Sequence, residues 1–152
     1  MCDSNSGGLV NVDKNVITQQ VASVLKDFPQ VAGAYLFGSA LGALRRDSDI
    51  DIGLILEDIA MADKDKAQLE AGIANSLSPL NGHVYDVVLL DPGNTIFCFR
   101  VIKEGQLIYT KNIGRVTDVI EYVSRCYAEV YPRYRDALEE IISEVISGGK
   151  RP

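Results

Sequence analysis

The sequence contains no tryptophan, a single histidine and only three cysteines. The scarcity of histidine and cysteine excludes several kinds of metal and catalytic site. With His83 alone, no site that needs several imidazoles can be built. Cys2, Cys98 and Cys126 are widely spaced and form no CxxC pair, so they suggest neither a disulfide framework nor a thiolate metal site. We therefore interpret the cysteines as reduced and structural.

A long apolar run and an excess of basic residues are also missing. No apolar stretch approaches the length that spans a bilayer, and the first residues, MCDSNSGG, lack the basic flank and apolar core of a secretory signal. We expect a cytoplasmic protein without membrane association. With 15 basic against 21 acidic residues, the formal net charge of −6 offers no broad surface for extended nucleic acid, although a small anionic substrate remains compatible.

The length and composition fit one globular domain. A chain of 152 residues with 47% hydrophobic residues can bury a substantial core but cannot hold a second full domain. Both ends are polar and rich in glycine, which is typical of chain that does not pack. We place the domain over residues 12–147 and expect flexible tails over 1–11 and 148–152.

Hydrophobic spacing predicts alternating helices and strands between the tails. In chain order they are a helix over 12–28, strands over 31–37 and 49–56, a helix over 61–77, a strand over 83–90, a helix from Asp91 to Glu104, a strand over 106–109 and a long helix with apolar positions from Val116 to Val145. Pro132 should kink or divide this last helix. The order predicts an α/β (α+β) fold with a central sheet flanked by helices, and it leaves the strand directions open.

Two carboxylates interrupt an otherwise apolar strand. Side chains alternate along a strand, so Asp49 and Asp51 project from one face while Ile50 and Ile52 enter the core on the other. Paired carboxylates either share a proton or bind a cation, and oxygen ligands suit Mg²⁺ or Mn²⁺. The simpler alternative is that both acids are exposed charges on an edge strand.

A third aspartate and a glycine-serine pair are also associated with predicted strands. Asp86 lies in the apolar stretch 83–90, and if this strand neighbours the first, three carboxylates would form a two-metal site in which Asp86 is the base or bridging ligand. Gly38 and Ser39 follow the strand 31–37, where free amides and a hydroxyl could hold phosphates. Alone, Asp86 could equally be an ordinary solvent-facing residue and Gly38-Ser39 an ordinary turn.

Taken together, these residues resemble the minimal nucleotidyltransferases of the DNA polymerase β superfamily, which include the antitoxin partners of HEPN-domain proteins. The resemblance covers residues 12–147. The family's pattern is a Gly-Ser pair, then Asp-x-Asp, then a lone aspartate on a later strand, and it falls here on Gly38, Ser39, Asp49, Asp51 and Asp86. The segment 99–109 also resembles the family. The sequence departs from the pattern in having only nine residues between Ser39 and Asp49 and no arginine before Gly42.

The resemblance implies a mixed sheet flanked by helices and a magnesium-dependent enzyme that transfers a nucleoside monophosphate, AMP from ATP, to a hydroxyl group. It implies that Asp49, Asp51 and Asp86 are the catalytic and metal-binding residues, holding two Mg²⁺ ions or Mn²⁺. Gly38 and Ser39 would bind the nucleotide. The acceptor implied is a HEPN-type partner protein within a toxin–antitoxin pair.

Two other functions remain open from the sequence. The chain could be a catalytically weak or inactive antitoxin or regulatory module that binds its partner without modifying it. It could also act on a small molecule such as an aminoglycoside, for which a homo-oligomer would have to supply additional substrate-binding surface. The sign of the first alternative would be partner binding that survives Asp51→Asn, with no adduct on either protein.

Overall fold

The computed structural model describes residues 9–11, 13–45 and 48–147, and these ranges contain six strands, four α-helices and one short 3-10 helix. The strands are β1 Leu9–Asn11, β2 Val31–Phe37, β3 Ala43–Arg45, β4 Ile50–Leu56, β5 Tyr85–Leu89 and β6 Gln106–Thr110. The α-helices are α1 Lys14–Leu25, α2 Asp63–Ser76, α3 Thr95–Glu104 and α4 Ile113–Ile146, and the 3-10 helix spans Gly38–Leu41. The predicted fold class is confirmed.

Four strands form the central sheet in the order β5-β4-β2-β6. β2 runs antiparallel to both β4 and β6, whereas β4 and β5 are parallel. Two parallel neighbours need a crossover connection, and α2 supplies it between β4 and β5. The sheet is therefore mixed, which settles the strand directions that the sequence left open.

Helices cover both faces of this sheet because the apolar side chains of β2 and β4 alternate. Leu36 and Leu54 join the core cluster that contains Ile17 of α1 and Ile73 of α2. On the other face, a second cluster combines strand and helix residues: Tyr35, Ile55, Val101 and Val116 among others. The central strands are thus buried on both faces, as continuous apolar runs predict.

A second, small sheet is absent from the sequence-based prediction. β1 pairs antiparallel with β3, so that Leu9 lies opposite Arg45 and Asn11 opposite Ala43. Residues 9–11, which are expected in a flexible tail, form a strand in the structure. Neither three-residue strand carries a periodic signal that could have been recognised. The other predicted tail residues, 1–8 and 148–152, lie outside the described ranges.

Two predicted helix features need correction. The helix expected to begin at Asp91 begins at Thr95 instead, because the Asp91 carboxylate accepts a hydrogen bond from Gly93 N at 2.9 Å and so closes a turn before the helix. Pro132 does not divide the last helix, since α4 is one helix of 34 residues with that proline inside it, and the kink that was the other expected outcome stays a prediction. None of the described helices has the combination of length and apolar character that crossing a bilayer requires.

Candidate active site

The predicted site residues gather at one end of the central sheet, where β2 ends and β4 and β5 begin. Asp51 lies directly opposite Phe37 on β2 and directly opposite Asp86 on β5. Gly38 follows Phe37, and Asp49 immediately precedes β4. The sheet register therefore brings together four of the residues that the sequence singled out, although Asp86 is 35 positions from Asp51 along the chain.

Asp51 and Asp86 share one face of the sheet. Their neighbours Ile50, Ile52 and Tyr85 are buried in the core cluster on the opposite face, so the alternation of the strands turns both aspartates away from it. Asp86 is exposed and Asp51 is half-buried. Asp49 is exposed as well.

The turn at Gly38 brings the backbone into close contact with the Asp51 carboxylate. Gly38 has a φ of +73°, and a Cβ atom at this position would overlap Asp51 Oδ2. The chain then turns into the 3-10 helix, in which Gly42 N donates to Ser39 O at 3.0 Å. Glycine is required here both by conformation and by space.

Electrostatics single out Asp51 among the three acids. Burial, followed by the negative charges of Asp86 and Asp49, raises the pKa of Asp51 to about 6 from its ordinary value of 3.8. The three carboxylates therefore interact, and the site has an excess of negative charge. A bound cation would relieve the repulsion that raises this pKa.

The carboxylates suit a divalent metal by chemistry but are not assembled into a ready-made site. Among the described residues, no group of three or more His, Cys, Asp and Glu side chains is arranged to hold a metal ion. Asp49 and Asp86 are exposed, so their side chains can change rotamer without disturbing the core. The donor set of carboxylate oxygens fits Mg²⁺ or Mn²⁺.

His83 proves to have a structural role near the site that the sequence did not reveal. It is 2% exposed, and its Nδ1 lies 2.8 Å from the carbonyl oxygen of Ser48. Two residues further along, Ile50 N donates to Val84 O at 2.8 Å. These two bonds hold the chain on both sides of Asp49. The isolated histidine gave no sign of this role, because its partner is a backbone group.

A cavity of about 540 Å³ lies elsewhere, beside the ends of the sheet strands that are remote from Asp51. Asp91, Arg115, Asp118, Tyr122 and Arg125 are among its lining residues. Arg115 is already engaged there, donating from Nε to Leu56 O at 2.9 Å. None of the predicted site residues lines this cavity, so it does not belong to the carboxylate site.

Sequence comparison identifies the class to which this fold and site belong. The profile of the family described as polymerase beta, nucleotidyltransferase matches residues 19–113. This range is more than half of the chain and includes all five predicted site residues. The chain belongs to the polymerase beta nucleotidyltransferase family, and the resemblance found in the sequence is confirmed. No protein of curated function matches the chain.

Solved structures confirm the fold. An MNT antitoxin complex with tri-AMPylated HEPN toxin from Shewanella oneidensis contains a chain that is 18% identical, with a TM-score of 0.62 over 86% of this chain and 99% of that one. The toxin–antitoxin MntA-HepT gives 21% identity and a TM-score of 0.55 over 87% and 98% of the two chains. A toxin–antitoxin structure with AMP-PNP contains a chain that is 24% identical, with a TM-score of 0.58 over 85% of this chain and 98% of that one.

Proposed function

We propose that this protein is a magnesium-dependent nucleotidyltransferase that moves AMP from ATP to a hydroxyl group of a HEPN-type partner protein. The observation that carries this proposal is the register of Asp51 and Asp86 on adjacent parallel strands beside the Gly38 turn. Carboxylates in this register, next to a glycine turn, can face the phosphates of one nucleotide. Membership of the family supplies the reaction type.

The Gly38-Ser39 turn is the proposed site for the terminal phosphates. Gly38 has no side chain to keep a phosphate away from the backbone, and Ser39 is exposed at the start of the 3-10 helix. Backbone N–H groups and a hydroxyl group are suitable donors to phosphate oxygens. Bound here, a triphosphate would place its α-phosphorus toward Asp51 and Asp86.

Asp49, Asp51 and Asp86 are the proposed ligands of two Mg²⁺ ions, with Mn²⁺ as a substitute. When bound, these ions would neutralise charge on the phosphates and on the attacking and leaving oxygens. The acceptor hydroxyl oxygen attacks the α-phosphorus, and the bond from that phosphorus to the pyrophosphate oxygen breaks. Asp86, which is exposed and so within reach of an acceptor, takes the hydroxyl proton.

The choice of a HEPN-type protein as the acceptor is supported by the complexes in which structurally similar chains occur. The similar chains described above come from toxin–antitoxin structures, and one of these is a complex of an AMPylated HEPN toxin with its MNT antitoxin. The acidic net charge of this chain agrees with a protein acceptor better than with a long nucleic acid. We accordingly propose a cytoplasmic antitoxin that modifies its toxin.

The decisive experiment follows radiolabel from ATP to a HEPN-domain protein encoded in the same genome. Label at the α-phosphate should appear on the acceptor in the presence of Mg²⁺, whereas label at the γ-phosphate should leave as pyrophosphate. EDTA should abolish transfer. Label transferred from the γ-phosphate would show phosphorylation and contradict the proposed reaction.

Two variants make the same experiment specific to the site. Asp51→Asn keeps the shape of the side chain and should lower transfer at least about 100-fold, since it removes a negatively charged oxygen ligand of the proposed Mg²⁺ ions. Asp27→Asn is the matched control, because Asp27 is exposed beyond the end of α1, near the opposite end of β2. Equal activity of both variants would mean that the carboxylate site is not the reaction centre.

A catalytically weak or inactive antitoxin is the second candidate function. The observation that favours it is the short spacing of nine residues between Ser39 and Asp49, which departs from the family's pattern. Asp51→Asn should then leave binding to the HEPN partner unchanged, and intact-mass measurement should show no AMP on either protein. These two results together would replace the first function with this alternative.

A further inference from the structure

The second half of α4 leaves a broad apolar surface in water. Val123 is the last buried residue of the helix, and from position 128 to 146 every residue except the half-buried Glu144 is exposed. The exposed large apolar side chains include Tyr134, Leu138 and Ile141. At about 3.6 residues per turn they share one side of the helix, which we call the apolar face of α4. Monomeric proteins rarely expose a contiguous apolar surface of this extent.

The apolar face begins in a cleft between α3 and α4. The cleft has a volume of about 300 Å³, and Tyr131, Tyr134 and Leu138 line it on the side of α4. Its inner end is closed by Phe99 of α3, which stacks on Tyr127 of α4 with ring centroids 3.7 Å apart. The α4 wall is therefore aromatic and apolar, and it continues without a break into the apolar face.

The charged residues around this cleft are mainly basic. Arg100 and Lys103 line it on the side of α3 together with Glu104. Arg135 lies one turn after Tyr131 and so borders the apolar face on α4. Within the described part of the chain neither Arg100 nor Lys103 forms an ion pair, and the exposed contact of Arg135 with its neighbour at 3.7 Å contributes little. Three basic residues against one acidic residue stand out in a chain with a net charge of −6.

The α3 wall of the cleft ends beside the proposed nucleotide site. Lys103 is two positions before Gly105, and a Cβ atom at Gly105 would lie 3.3 Å from Phe37 Cβ. Phe37 is the last residue of β2 and is followed directly by Gly38. The basic end of the cleft is thus connected to the turn that is proposed to hold the terminal phosphates.

α4 also runs toward the nucleotide site and passes it. Its cap residue, Asn112, donates from the backbone N–H to Ala32 O at 3.2 Å, so the helix begins beside the start of β2. Leu138, much further along, shares the cleft with Lys103. At about 1.5 Å per residue, a helix of 34 residues is far longer than the seven-residue strand β2. The apolar face therefore projects beyond the end of the sheet that carries Asp51.

We propose that the cleft and the apolar face of α4 are the docking surface for the protein that accepts AMP, and that the docked segment is an amphipathic helix bordered by acidic residues. The inference rests on the proposed function, which supplies a protein acceptor. A groove between helices suits the apolar side of a third helix, and Arg100, Lys103 and Arg135 attract acids on its borders. An acceptor docked here is held beside Asp51, which favours attack by its hydroxyl group.

Binding without nucleotide tests the docking surface apart from the chemistry. The probe is the HEPN-domain protein encoded in the same genome, titrated into the full chain in a calorimeter. Tyr134→Asp and Ile141→Asp should each raise the dissociation constant at least about 30-fold, because each buries a charge in an apolar contact. Ser143→Asp, exposed on the opposite side of the helix from Ile141, is the matched control and should bind normally. All three sites lie outside the core, so the variants should fold.

Salt and charge reversal test the acidic character of the docked helix. The affinity of the wild type should fall about tenfold as NaCl is raised from about 50 to about 300 mM. Lys103→Glu should weaken binding about tenfold at the lower salt concentration and reduce the salt dependence. Lys64→Glu, at an exposed position of α2 on the other face of the sheet, is the control and should do neither. Affinity that responds neither to salt nor to Lys103→Glu would overturn this occupant.

Steady-state transfer separates docking from catalysis. With α-labelled ATP and Mg²⁺, Tyr134→Asp should raise the KM for the HEPN protein at least about 30-fold and leave the KM for ATP and kcat unchanged. A fall in kcat with an unchanged KM for the acceptor would show that Tyr134 does not act in docking and would contradict the proposal.

The outcomes distinguish this proposal from the proposed function. If the HEPN protein receives label but does not bind the wild type, or binds it and both apolar-face variants equally, the docking surface is wrong and the transfer reaction stands. If binding depends on the cleft but no label is transferred, the docking surface stands and the reaction fails. A free chain that is dimeric in sedimentation and becomes monomeric with Ile141→Asp would show that a second copy covers the apolar face, which would overturn the proposal.

Discussion

At the scale of single residues, Gly38 links the shape of the turn to the position of Asp51. Its φ of +73° disfavours any side chain, and a Cβ atom would collide with the Asp51 carboxylate. We expect Gly38→Ala to lower the free energy of unfolding by about 2 kcal/mol, the sum of backbone strain and displacement of the carboxylate. Urea unfolding monitored by circular dichroism measures it.

Gly42 provides the control for that change. A Cβ atom at Gly42 would meet nothing within 4 Å, and its φ of −132° lies outside the left-handed region that favours glycine. Gly42→Ala should therefore leave stability within about 0.5 kcal/mol of the wild type. Equal destabilisation by the two variants would contradict the argument from the Asp51 contact.

Asp51 should make the protein less stable at neutral pH than at mildly acidic pH. Its pKa is raised to about 6 in the folded protein from 3.8, so the folded state holds the proton more tightly than the unfolded state. The contribution of Asp51 to stability therefore falls as the pH rises from about 4 to about 6, and the full penalty is present above that range.

Asp51→Asn removes this penalty without changing the side-chain shape. We expect the variant to be more stable than the wild type by about 1 kcal/mol at pH 7.5, after allowance for solvent screening of a half-buried group, and to show no advantage near pH 4. Thermal unfolding of both proteins without metal across this range measures the difference. A gain that does not vary with pH would point to a cause other than the charge.

At the scale of elements, the hairpin that precedes β5 fixes the start of β4. Leu80 and His83 form a bridge within it, and His83 bonds in turn to the Ser48 carbonyl. The residues around Asp49 are thus held by a segment that follows them by more than thirty positions. A turn distant in sequence therefore helps to position a proposed catalytic carboxylate.

His83→Ala tests whether the bond from His83 to the Ser48 carbonyl stabilises the protein and positions Asp49. Loss of the buried ring and of its bond to Ser48 O should lower stability by about 2 to 3 kcal/mol. Nucleotide transfer should fall as well, because Asp49 loses one of its two flanking attachments. Unfolding and transfer assays measure these effects, and Val84→Ala, at a neighbouring position that is 49% exposed, should change neither.

At the scale of the whole molecule, the two cores share the same central strands. Leu36 and Tyr35 are adjacent on β2, yet they belong to clusters on opposite faces, and the same holds for Leu54 and Ile55 on β4. Loss of either core therefore removes support from the strands on which the other depends. The domain should unfold as one cooperative unit.

Two probes can test this expectation. Helix content by circular dichroism reports on both faces, while tyrosine fluorescence reports mainly on the side of α4, which holds Tyr122, Tyr127, Tyr131 and Tyr134 of the seven tyrosines. The two denaturation curves should coincide. Separate midpoints would show that the faces unfold independently.

Local patterns were sufficient to predict every long element. The strand β2 was predicted with its observed bounds, and α1, α2 and β4 lie within a few residues of their predicted ranges, because apolar periodicity reports directly on burial. The short strands β1 and β3 were missed since three residues contain no period. The start of α3 was misplaced because Asp91 can cap either a helix or a turn.

The sequence by itself determined the family and which residues are chemically unusual: carboxylates within apolar strands and a glycine-serine pair at a strand end. Their types and spacing follow from local chain composition, which is all that a sequence displays. Only the tertiary structure decided that β4 and β5 are parallel neighbours in a register that sets Asp51 against Asp86. It alone showed the bond from His83 to Ser48 and the exposure of apolar side chains along the second half of α4. Those features depend on contacts between segments distant in the chain, which no local pattern encodes.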